Sequence, residues 1–121
     1  MLIKILLVGA GGFLGASARY ILGKYINNLW KGNFPLGTFL VNTGGSFLLG
    51  LAVLHPHLGH ALDKNLSLGI GAGFLGAFTT FSTFEYETLN LLEKRKTATA
   101  AVYVLSSFAA GFAAAWLTRL L

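Results

Sequence analysis

The sequence predicts an all-α membrane protein with four transmembrane helices, and three observations carry that prediction. Of the 121 residues, 55% are hydrophobic and only 11% are charged, with a mean hydropathy of +0.68, a balance that suits lipid and not water. The apolar residues gather into four stretches that reach or approach the roughly 20 residues a helix needs to cross a bilayer. Sixteen glycines run through those stretches, and small residues let helix backbones approach closely in lipid. One membrane domain covering residues 1–121 is expected.

The first span covers about residues 2–26. Its uncharged stretch, Ile5 to Ala18, is 14 residues long, which covers about 21 Å of a hydrocarbon core roughly 30 Å thick. Arg19 therefore falls inside or near the membrane boundary. Lys4, the apolar stretch and Ala16-Ser17-Ala18 imitate a cleavable signal peptide, but Gly11 and Gly15 are spaced to pack against another helix. The second span, about 36–55, begins after the turn-like Lys31-Gly32-Asn33-Phe34-Pro35, and Pro56 helps to end it. The third, about 65–92, is uncharged from Asn65 to Phe84 and continues as helix through Glu85 and Glu87, whose carboxylates are expected in water. A break is expected near its middle. Gly76-Ala77-Phe78-Thr79-Thr80-Phe81-Ser82-Thr83-Phe84 is rich in β-branched and self-bonding hydroxyl residues that disfavour continuous helix. Irregular backbone at membrane depth is tolerated where protein or a water-filled cavity satisfies it, so this segment reads as the wall of a pathway. The fourth span, about 97–119, is uncharged through Thr118. Small-residue pairs recur at Ser46 and Gly50, at Gly69 and Gly73, and at Ser107 and Gly111, so all four spans look built to pack.

Composition also excludes functions. With no Cys, disulfides, thiolate catalysis and Cys-ligated metals are excluded together. The net charge of +5 would point to nucleic acid in a soluble domain, but Lys24, Lys31, Lys64 and Lys94-Arg95-Lys96 sit at span ends, where basic side chains anchor to the interface. The lipid bilayer is the expected partner and nucleic acid is not. Lys4, Lys64 and Arg119 share one side of the membrane, while Lys24, Lys31, Lys94, Arg95, Lys96 and Arg19 share the other, which leans that second side towards the cytoplasm. His55, His57 and His60 flank Pro56 and Gly59 without carboxylate support and read as loop residues, not metal ligands. No nucleophile–base pair or phosphate loop stands in the sequence, so no enzyme is expected.

Polar side chains do recur at helical spacing. Thr38, Asn42 and Ser46 share one face of the second span, as do Tyr103, Ser107 and Gly111 on the fourth, while Phe78, Phe81 and Phe84 are three apart on the third. Amides, hydroxyls and the positive rims of phenyl rings can all donate to an anion. None is ionised, and a conduction path must bind strongly enough to admit an ion and weakly enough to release it. Taken singly, each hydroxyl reads as helix-packing glue and the Phe stripe as ordinary packing; the combination reads as a donor track. Four thin helices enclose little space, so a homodimer is the expected way to build a pathway.

At these residues the chain resembles the small bacterial fluoride channels of the CrcB/Fluc family. The resemblance rests on Gly11-Gly12-Phe13-Leu14-Gly15-Ala16-Ser17-Ala18-Arg19-Tyr20, on Gly37-Thr38-Phe39-Leu40-Val41-Asn42 and on the segment Gly76 to Phe84, in that order over nearly the full length. It implies a dual-topology antiparallel homodimer in the bacterial plasma membrane, with two pores that passively export cytoplasmic fluoride and relieve its toxicity. It implies that Phe81, Phe84 and Asn42 line the pore, that Thr38, Tyr103 and Ser107 form a polar track, and that Arg19 stands near a pore mouth. Gly111 departs from the family pattern, in which a serine can stand. The resemblance also implies a structural Na⁺ at the dimer centre, held by backbone carbonyls of Gly76 and Thr79. The alternative from another class is a small proton-coupled multidrug exporter, which needs an ionisable group at mid-membrane, and the first span holds no acid. A noncatalytic assembly subunit is the third reading.

Overall fold

The computed structural model describes residues 1–121, the surroundings of Gly59 excepted. Helix α1 spans Leu2–Leu29, α2 Leu36–Val53 and the short α3 Leu58–Ala61. A third rod then runs through α4 (Lys64–Leu68), a wide π turn (Gly69–Leu75), α5 (Gly76–Phe78) and α6 (Phe81–Glu93), and α7 covers Thr97–Leu120. Leu2–Leu29, Leu36–Val53, Lys64–Glu93 and Thr97–Leu120 are each long and apolar enough to cross a membrane. The chain is a multi-pass membrane protein.

The span ends differ from the sequence reading by local hydrogen bonding. The first helix runs on past Ile26, whose carbonyl accepts from Trp30 N at 2.9 Å, and only the extended backbone of Trp30 (φ −97°, ψ 126°) stops it. The second ends at Val53 and not at His55, because Leu54 N and His55 N both turn back to Gly50 O, at 2.7 and 3.2 Å. His55 Nδ1 then accepts from the backbone of His57 and Leu58, at 3.3 and 3.2 Å, and winds the turn around Pro56.

The packing follows the small-residue pairs. A Cβ on Gly11 would stand 2.2 Å from Gly69 O and one on Gly15 2.1 Å from Phe74 O, distances that only a missing side chain permits. These glycines seat α1 on the π turn and α5. On the other side of the molecule α2 packs along α7, where a Cβ on Gly50 would lie 2.7 Å from Ala115 O. At the end near the α6–α7 connection, Leu91, Ala100 and Tyr103 form a buried cluster with Phe34, Phe39 and Phe84 against it.

The third rod is bent twice. The π turn fits an extra residue where Gly69, Gly71 and Gly73 offer no side-chain resistance, and Gly73 there meets the backbone of Val8 and Gly11. The true break is at Thr79 (φ −81°, ψ 156°) and Thr80 (φ −146°, ψ 123°), both extended. It divides the span near its middle, as the hydroxyl-rich composition predicts.

Candidate functional site

The break is held from a neighbouring helix. Asn42 on α2 donates from Nδ2 to Thr80 O at 2.9 Å, and Thr80 N donates to Asn42 Oδ1 at 2.8 Å. One side-chain amide thus pairs with one peptide as a strand would, which satisfies buried backbone groups that have no helical partner. Thr80 is itself buried, and its hydroxyl accepts from Thr83 N at 3.2 Å, capping α6. Thr79 Oγ1 donates to Leu75 O at 2.9 Å and closes the other side of the break.

These bonds redirect two backbone donors away from carbonyls at the break. In an unbroken helix Thr80 N would donate to Gly76 O and Thr83 N to Thr79 O. Here the first goes to Asn42 and the second to the Thr80 hydroxyl. Gly76 is exposed on the chain, and Gly76 and Thr79 line a cavity of about 340 Å³ together with Asn42 and Phe81. A set of neutral carbonyl oxygens suits a hard monovalent cation, so the residues present fit one.

A second cavity, of about 300 Å³, brings together Asn42, Ser46, Phe81, Phe84, Ser107 and Gly111. The Phe81 and Phe84 rings lie 5.8 Å apart between centroids. Asn42 keeps one N–H beyond the bond to Thr80, and Ser107 Oγ is buried with no hydrogen-bond partner among the described residues. Phe81 is 70% exposed on the single chain, so this cavity is open on one side.

Tyr103 and Thr38 lie outside that cavity. Tyr103 is fully buried behind Phe84, with ring centroids 5.0 Å apart, and its hydroxyl too lacks a partner among the described residues. Thr38 donates its hydroxyl proton to Glu87. Glu87, expected in water, is instead half-buried, because this bond draws it inward against α2; Glu85 is exposed, as expected. Arg19 lines a third cavity of about 530 Å³ with Tyr20, Lys24, Asn27, Thr38 and Thr80. The site thus has three adjoining spaces around one break, with Asn42 and Thr80 at the wall between them.

Sequence reading missed the clamp between Asn42 and Thr80 and the bond between Thr38 and Glu87. The residues of each pair stand 38 and 49 positions apart. The available signal was the same in both cases: a polar residue in a span with no neighbour of its own helix to satisfy it.

The chain is similar in sequence to known proteins. Residues 6–119 match the family described as "CrcB-like protein, Camphor Resistance (CrcB)". A protein of Acidobacterium capsulatum named "Fluoride-specific ion channel FluC" is 48% identical over 116 residues, which cover 94% of this chain and 91% of the relative. A Moorella thermoacetica protein, "Fluoride-specific ion channel FluC 2", is 44% identical over 112 residues, covering 93% and 90%. One of Anaeromyxobacter dehalogenans, with the same name as the first, is 42% identical over 120 residues, covering 96% and 95%.

Proposed function

This chain belongs to the CrcB family, and on that premise we propose that it is a fluoride channel that passively exports cytoplasmic fluoride across the bacterial plasma membrane and so relieves fluoride toxicity. The observation that carries the reading is the cavity shared by Asn42, Phe81, Phe84 and Ser107, in a chain whose relatives carry the name of fluoride channels. The same relatives speak for a channel and against the proton-coupled exporter.

The mechanism follows from which donors are free. Fluoride is small and strongly hydrated, and a path through lipid must replace its water without trapping it. The free N–H of Asn42, the unpartnered hydroxyl of Ser107 and the positive ring edges of Phe81 and Phe84 offer that replacement with no formal charge. Beyond Phe84 the buried Tyr103 hydroxyl is the next donor. Thr38 gives its only proton to Glu87, so it joins the track by exchanging that bond. Arg19 and Lys24 line the wide third cavity, where two cations raise the local anion concentration before the path narrows.

The working unit of this proposal is an antiparallel homodimer. A second copy, inserted in the opposite sense, would cover Phe81, the exposed Gly76 and Phe112, which is 74% exposed on the single chain. The carbonyls of Gly76 and Thr79 would hold a Na⁺ between the copies, supplying a charge that neutralises backbone dipoles where water is excluded.

The experiment that tests the pore is Phe81→Ile, which keeps apolar bulk and removes the ring edge. Purified variant in proteoliposomes is expected to lose fluoride efflux while eluting as a dimer. Undiminished efflux would remove the ring from the path.

A further inference from the structure

We propose that the cavity between the α1–α2 and α6–α7 connections is an anion-collecting mouth, in which Lys94 and Lys96 bind a small hydrated inorganic anion and deliver it to the donor track past Glu87. This inference rests on the fluoride-channel reading and adds a second entrance, which adjoins the space lined by Arg19 at Asn27.

The cavity holds about 270 Å³ and is lined by Asn27, Asn33, Asn90, Lys94, Lys96 and Glu87, with Trp30 and Phe34 as its apolar floor. Two lysines and one glutamate line it, which leaves one positive charge in excess. Three side-chain amides add neutral donors that can replace water around an anion. Lysine suits a transit site, because its compact, strongly hydrated charge attracts an anion without the two-point grip of a guanidinium.

Two links tie this cavity to the track. Glu87 lines it and accepts the hydroxyl of Thr38, which in turn lines the Arg19 cavity. Phe34 lines it and meets the Tyr103 ring edge-on at 5.4 Å, and Tyr103 lies against Phe84. The turn that carries the lysines is fixed through its backbone: Lys94 N donates to Asn90 O at 3.1 Å and Lys96 N to Leu91 O at 2.8 Å. Arg95 between them has a left-handed backbone (φ 59°) and does not line the cavity. It is a cation of the same charge one position away and outside the site.

The test compares the full-length protein, the double variant Lys94→Gln/Lys96→Gln and Arg95→Gln in vesicles of neutral phosphatidylcholine. Fluoride efflux is followed with an electrode at sub-saturating fluoride, in about 10 mM and about 1 M of an impermeant salt, where screening lengths are about 30 and 3 Å. The double variant is expected to conduct about tenfold less at low salt, Arg95→Gln to match the unmodified protein, and the gap to close at high salt. Equal flux at low salt, a loss that persists at high salt, or an equal loss in Arg95→Gln would each overturn the mouth. A loss that appears only when anionic lipid is added would also overturn it, by assigning the lysines to a lipid headgroup. Unmodified protein that passes no fluoride would instead bring down the channel reading, and this inference with it.

Discussion

Asn42 and Thr80 exchange two hydrogen bonds across the helix break, so the amide that faces the cavity also fixes the wall of that cavity. Its remaining N–H is therefore aimed and not free to rotate. Asn42→Ala would strand the N–H and C=O of a buried residue, at a cost of about 1–3 kcal/mol for each unsatisfied group. Thermal unfolding in detergent is expected to show that loss. Asn42→Asp keeps an acceptor for Thr80 N but removes the donor and places a negative charge at the track. It is expected to pass at least about tenfold less fluoride. An Asp variant with full flux would show that the amide proton is not needed. The difference between the two substitutions separates holding the break from meeting the ion, because stability reports the first and flux the second.

Among the elements, α1 and the π turn carry the tightest contact. Gly15→Val would push side-chain atoms into Phe74 O, already 2.1 Å from a bare Cβ, and backbone on both sides gives no room to relax. Overpacking of this kind costs about 1–3 kcal/mol, and the midpoint of unfolding is expected to fall accordingly. Gly9→Ala on the same helix meets nothing within 4 Å and is expected not to lower the midpoint. The sequence made this contact legible through the spacing of Gly11 and Gly15, and made the break at Thr79 and Thr80 legible through hydroxyl-rich composition. It did not reveal the π turn, because Gly69, Gly71 and Gly73 suit an ordinary helix as well as a wide one. It did not reveal the burial of Glu87 either, since helix periodicity says which face a carboxylate occupies and not what packs there. Asn42 and Thr38 could be read as polar residues needing partners, but the identity of those partners is set by tertiary packing alone.

For the whole molecule, a single copy leaves Phe81 at 70% exposure and Gly76 uncovered beside a cavity, which lipid cannot hydrogen-bond. The proposed dimer closes that side, and the proposed Na⁺ satisfies the carbonyls of Gly76 and Thr79. Replacing sodium throughout purification by a larger organic cation is therefore expected to weaken the dimer and lower activity together. A dimer of unchanged stability and activity would remove the cation from the account. The proposed donor track, the break and the proposed carbonyl site are then parts of one arrangement: Asn42 takes the donor that Gly76 O would otherwise receive, so the same bond orients the amide proposed to meet the anion and frees a carbonyl proposed to hold the cation.

In the proposed pore, neutral amide, hydroxyl and ring-edge donors stand in for water around fluoride as it crosses lipid. Efflux of fluoride and chloride measured side by side from vesicles holding the purified dimer, with no proton gradient imposed, tests it most directly. Fast fluoride loss with chloride retained is expected. Vesicles that keep their fluoride, or that release it only when a proton gradient is applied, would contradict it.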